Sequence, residues 1–137
     1  MTEAEARILL KYHSFNSDDL EHPKMKKGFL GMLRPFQGEL YEKNFHELMD
    51  VLKTLSPILS KETIDRELIS SFWCICNLGR IWCPDNLLSL DQKKLLDVWL
   101  DCLSYAVMIL LDHNNIDEAF NLYFEYLKSR ISDKEKK

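Results

Sequence analysis

The sequence is poor in the features that announce chemistry. Its four cysteines, Cys74, Cys76, Cys83 and Cys102, lie in apolar stretches, and its four histidines, His13, His22, His46 and His113, are scattered. No cysteine or histidine pair stands at zinc-ligand spacing, and Cys74 and Cys76, two apart on a helix, point about 200° from one another. A metal centre is not expected; buried, reduced thiols are, as in a reducing cytosol. With four glycines in the chain, there is no phosphate-cradling glycine loop and no glycine-flanked serine elbow. No enzymatic reaction and no cofactor is expected.

Excess positive charge is absent too. The net charge is −4 and the pI about 5.6, so a phosphate backbone would meet repulsion as often as attraction. The best basic candidate for nucleic acid, Lys24, Lys26, Lys27 and Arg34 with Phe29 and Phe36, reads more simply as a solvated helix edge. The longest apolar run, Leu95 to Leu111, contains Asp97 and Asp101. Each would cost roughly 2.5–3.5 kcal/mol near a bilayer centre, so no membrane partner is expected. The N-terminus, MTEAEARILLKYH, has no basic flank followed by an apolar signal core. A cytoplasmic protein is the expectation.

What is present is helical patterning. A chain of 137 residues, 46% hydrophobic and 29% charged, corresponds to one globular domain. Residues 1–131 are expected to form it, with 132–137 as a frayed, charged tail. The first helix runs from about Glu3 to His13, with Ala6, Leu9, Leu10 and His13 on one side. A turn-rich stretch follows, and Pro23 opens a segment in which Met25, Phe29, Met32 and Leu33 keep helical spacing. From Glu39 to Leu55 or a little beyond, Tyr41, Phe45, Leu48, Leu52, Leu55 and Leu59 form one apolar stripe, which Pro57 should kink or end. Ser60 with Thr63 is the nearest capping pattern before the next helix.

That helix spans about Glu62 to Cys83, ended by Pro84. The run from Asp91 to Asp112 is apolar almost all the way round, so it is expected to be central and buried; Asp91 would cap it and the His113 to Asn115 turn would end it. A last helix, Ile116 to Ile131, sets Ile116, Phe120, Tyr123, Leu127 and Ile131 inward. The fold class is all-α, a bundle of five to six helices, with the last three packed as antiparallel neighbours.

Charge is distributed unevenly along these helices. From Asp85 to Leu127, eight carboxylates (Asp85, Asp91, Asp97, Asp101, Asp112, Asp117, Glu118, Glu125) stand against Lys93 and Lys94, a local balance of −6. Asp97 and Asp101 form one stripe, Asp117, Glu118 and Glu125 another, and hairpin neighbours would merge them into one acidic face. Such a face speeds the association of a basic partner. Trp99 and Tyr126 would anchor that partner if exposed. Asn77 and Arg80 lie in an otherwise apolar segment. Arg80 either pairs internally with Asp97, Asp101 or Asp112, or faces a partner.

The segment SFWCICNLGRIWCPD, followed by LDVWLDCLSYAVMILLD, in an acidic all-helical domain rich in aromatics, resembles the immunity proteins of bacterial toxin systems, including contact-dependent growth inhibition. The resemblance covers the whole chain in character and carries over no residue roles. It implies tight neutralisation of a cognate toxin, often a nuclease with a basic cleft, by covering its active site. The expected contact set is Asp97, Asp101, Asp117, Glu118 and Glu125, with Trp99 and Tyr126, and with Asn77 and Arg80 as a polar anchor. Two other classes fit the same residues. A helical adaptor would hold a partner helix in a groove, for instance between the helices beginning at Glu39 and Glu62. A small enzyme or ligand-binding domain would use Arg80 with a histidine or cysteine in an interhelical pocket.

Overall fold

Capping and apolar periodicity, rather than any strand pattern, divide the chain. The computed structural model describes residues 1–83 and 86–135, and within them the fold is all-α, with eight helices. These are α1 (Glu3–His13), α2 (Pro23–Lys27), α3 (Phe29–Leu33), α4 (Glu42–Leu59), α5 (Arg66–Ile81), α6 (Leu90–Asp112), α7 (Ile116–Ala119) and α8 (Asn121–Glu135). The count exceeds five or six because two segments are broken. Gly28 separates α2 from α3: a Cβ there would sit 2.3 Å from the Lys24 carbonyl oxygen and 3.2 Å from His13 Nδ1. The last helix breaks at Phe120, which turns into the core.

Helix α1 matches its expected bounds. Thr2 and Glu5 cap it reciprocally, and Ala6, Leu10 and His13 are buried. Helix α4 begins at Glu42, later than expected, because Tyr41 is extended at its N-cap and its amide donates to Met32 Sδ. Pro57 does not end α4; the helix continues two residues further, to Leu59. Proline cannot donate to the Lys53 carbonyl one turn back, but Ser56 Oγ does so at 2.8 Å, so that acceptor is satisfied. Ser60 is the C-cap of α4, its hydroxyl donating to the Pro57 carbonyl, and does not open α5.

Helix α5 starts at Arg66, four residues later than expected. Its N-cap, Asp65, accepts from Arg7 at 2.9 Å, and Lys11 pairs with Glu67 at 3.1 Å, so α1 holds the start of α5. It gives way to Trp82 as C-cap; Pro84 and Asp85 lie outside the described residues. Ser89, not Asp91, caps α6: its hydroxyl accepts from the Gln92 amide while Gln92 Oε1 accepts from the Ser89 amide. Asp91 instead places negative charge in the first turn, where the helix dipole favours it. At the other end Asn114 takes a left-handed conformation (φ 46°) and its side-chain amide donates to the Ser56 and Leu110 carbonyls, closing the turn into α7.

One apolar cluster runs through the molecule, from Ala6 and Leu10 through Phe29, Phe45, Leu52, Phe72 and Trp99 to Phe120. Helix α6 packs on α4, α5, α7 and α8, as α1 packs on α2, α3, α4 and α5. Helix α6 is not buried all round. Eight of its 23 residues are buried, against nine of 18 in α4, and Val98, Met108 and Leu111 remain over 40% exposed on its outer face with Asp97 and Asp101. Gly79 lets α5 approach α6, since a Cβ there would meet Leu100 Cδ2 at 2.8 Å. The break at Phe120 also shifts the inward face of α8. Tyr126 is buried, while Ile116 and Ile131, expected inward, are exposed. Residues 132–135, expected as a frayed tail, continue α8; residues 136–137 lie outside the described residues.

Candidate functional site

Helix α8 is fastened to α4 by its polar side chains. The Tyr126 hydroxyl donates to Glu42 Oε1, Arg130 Nε lies 3.3 Å from the same carboxylate, and Tyr123 is hydrogen-bonded to His46 Nδ1 at 2.7 Å. Phe45 stacks on Trp99 at 5.4 Å and meets Tyr123 and Tyr126 edge-on. Burial, with the nearby acidic side chains, pushes both tyrosine hydroxyls up to about 12. Helix α8 also meets α6, through the hydrogen bond from the Trp99 indole N–H to the Tyr126 hydroxyl.

Between them lies a groove of about 550 Å³. Leu95, Val98, Cys102, Leu122 and Tyr126 give it an apolar floor, and Asp91, Asp101, Glu125 and Asp133 stand along its length against Lys94 and Arg130. Arg130 is already engaged by Glu42. Beyond Asp101 the groove continues along Ser104, Tyr105 and Met108. Across α6, Ser104 also borders a smaller hollow of about 190 Å³ with Trp73, Cys76, Asn77 and Arg80. The open surface therefore runs from α5 over α6 to α8.

The structure brings together part of the expected contact set. Asp101 and Glu125 line the same groove, so the two acidic stripes meet there. Asp97 is exposed one turn before Asp101, outside the lining of that groove. Asp117 and Glu118 sit at the α6–α7 turn, where Glu118 and Asp112 bracket His113 at 2.8 and 2.9 Å. Those two hydrogen bonds, Glu118 first, raise the His113 ring above its ordinary value. Trp99 and Tyr126 are corrections. Trp99 is completely buried and Tyr126 is 7% exposed, with the Trp99 indole N–H donating to the Tyr126 hydroxyl at 3.1 Å. Trp99 is not available to anchor a partner, and Tyr126 offers only a small part of its surface, in the groove floor.

Arg80 does both things weighed for it: it pairs with Asp101 at 3.1 Å and stays exposed beside Asn77. Trp73, which the sequence places on the same side of its helix as Asn77 and Arg80, is 71% exposed. The spacing of Trp73, Asn77 and Arg80, two polar residues at helical steps from one tryptophan, marks that side as an outward stripe.

The other candidates for chemistry resolve into structural roles. His13 is fully buried. The Phe29 amide donates to its Nδ1 at 2.9 Å, so Nε2 carries the proton and donates to Glu47 at 2.8 Å, where Lys24 Nζ also binds at 2.6 Å. Of the basic and aromatic residues weighed for nucleic acid, Lys24 is thus tied to Glu47, Phe29 is in the core, and Arg34 stacks on Trp82 at 5.1 Å. Cys74, Cys76 and Cys102 are free thiols. Burial pushes Cys76 and Cys102 up to about 11, which keeps the nucleophilic thiolate scarce near neutrality. Among the described residues, the hollow beside Arg80 is lined by Cys76 and Ser104 with Trp73 and Asn77, and the nearest carboxylate the structure ties to it, Asp101, is paired with Arg80. Among the described residues, no group of three or more histidine, cysteine or acidic side chains is placed to hold a metal ion, and no helix is long and apolar enough to cross a membrane.

No family model, curated protein or solved structure matches the chain.

Proposed function

We propose that this chain is an inhibitory binding protein of the immunity type, which neutralises a cognate toxin domain by covering its basic active-site cleft. A nuclease is the toxin class whose cleft carries that charge, because it must hold a phosphate backbone. The reading rests on the α6–α8 groove, where carboxylates on both helices border an apolar floor. The carboxylates steer a basic partner, and the floor retains it once water is excluded. Trp73, exposed beside Asn77 and Arg80, extends the contact, since tryptophan and arginine are favoured interface anchors. The protein acts in the cytoplasm, where its thiols stay reduced.

The test is affinity capture on the immobilised chain, identification of what is retained, and assay of that domain's activity with and without the chain. A basic domain released by high salt and inhibited at near-equimolar ratio is the expected result. A retained partner that is not basic, or that stays active while bound, overturns the reading. The apolar floor also suits an adaptor that holds a partner helix. The activity assay separates the two, because an adaptor leaves its partner active.

A further inference from the structure

We infer that the occupant of the α6–α8 groove is a single basic amphipathic α-helix of the partner. This rests on the binding reading above and adds the form of the element that docks.

Both walls of the groove are helices, α6 and α8, whose backbone donors and acceptors are spent within their own turns. A peptide that binds by strand addition gains its affinity from an open strand edge. These walls have none, whereas a helix satisfies its own backbone and needs no such edge. The lining repeats at helical steps: Asp91, Lys94, Leu95, Val98, Asp101 and Cys102 on one wall, Leu122, Glu125, Tyr126 and Ser129 on the other. Ridges at three- and four-residue spacing are what a third helix packs into. Along α6, Asp91 and Asp101 are separated by about 15 Å, and along α8, Glu125 and Asp133 by about 12 Å, at 1.5 Å per residue. An occupying helix therefore lies for two to three turns between walls that carry four carboxylates, Asp91, Asp101, Glu125 and Asp133, against Lys94 and Arg130. Of these, Asp101 is shared with Arg80 and Arg130 with Glu42. Lysine or arginine flanking its apolar stripe would face the carboxylates on both sides, and an acidic helix would be repelled.

The experiment uses the intact chain and two synthetic peptides of about 15 residues, both of leucine and lysine in the same proportions. One has leucines at helical spacing; the other alternates them with lysine, the pattern of a strand. Binding is followed by residue-resolved NMR shifts. The helical peptide is expected to give saturable shifts confined to residues 91–102 and 122–133, at least about tenfold tighter than the alternating peptide. Val98→Lys, at an exposed floor position, is expected to weaken it by a similar factor, with the fold checked by its unperturbed shifts elsewhere. Equal binding of the two peptides, shifts on another face, or no binding overturns the inference. This titration needs no toxin. Its failure alongside capture of a basic domain through Asp101 and Glu125 would remove the helix and leave the binding reading. Its success with a captured partner that stays active would do the reverse.

Discussion

The indole N–H of Trp99 on α6 donates to the hydroxyl of Tyr126 on α8 at 3.1 Å, and that hydroxyl donates onward to Glu42 on α4. Three helices are joined by one chain of hydrogen bonds inside an aromatic cluster. That chain keeps Trp99 off the surface and leaves Tyr126 only 7% exposed at the groove between α6 and α8.

Tyr126→Phe keeps the ring and deletes the link. The Trp99 N–H is then buried without an acceptor, a loss of about 1–3 kcal/mol. Urea denaturation followed by tryptophan fluorescence measures it. Unchanged stability would mean the hydrogen-bonded chain does not hold α8 in place.

Glu47 governs the acid limb of stability. The hydrogen bond from His13 is the largest cause of its depression from 4.5 to about 2, Lys24 adds to it, and burial opposes both. A carboxylate depressed in the folded state contributes stability that is fully present above its unfolded value and is lost as pH falls through its folded value. The expected loss therefore falls between about pH 4.5 and 2. Glu47→Gln is expected to be less stable at neutral pH by about 1.5–3 kcal/mol, with the difference shrinking toward pH 2. Parallel pH profiles of the two proteins would contradict this.

At Gly28 the constraint is steric. An alanine Cβ would lie 2.3 Å from the Lys24 carbonyl oxygen, a backbone atom unable to swing away, with His13 Nδ1 on its other side. Gly28→Ala is expected to cost about 1–3 kcal/mol and to disturb the Phe29–His13 hydrogen bond. Thermal unfolding measures the first effect, and NMR of the His13 ring the second.

Helix positions were legible where apolar spacing was clean. The α4 stripe from Phe45 to Leu59 is buried as its spacing predicts. Pro57 does not end α4, because a neighbouring hydroxyl, Ser56, replaces the missing donor and the helix runs on to Leu59. The site was half legible. Merging of the acidic stripes at Asp101 and Glu125 follows from hairpin packing of α6 and the last helix. The phase of α6 does not follow, since a segment apolar on nearly every side fits several rotations, and its neighbours choose one. That choice turned Trp99 inward and Val98 outward. The break at Phe120 then rotated α8, burying Tyr126.

The central claim, steering by the acidic groove, is tested most directly by the association rate of the captured basic domain at low and high salt. Wild type is compared with Asp101→Lys/Glu125→Lys, two exposed positions. The account predicts a wild-type rate that falls steeply with salt, and a variant about tenfold or more slower at low salt with little salt dependence left. Equal rates and equal salt dependence in the two proteins would contradict it.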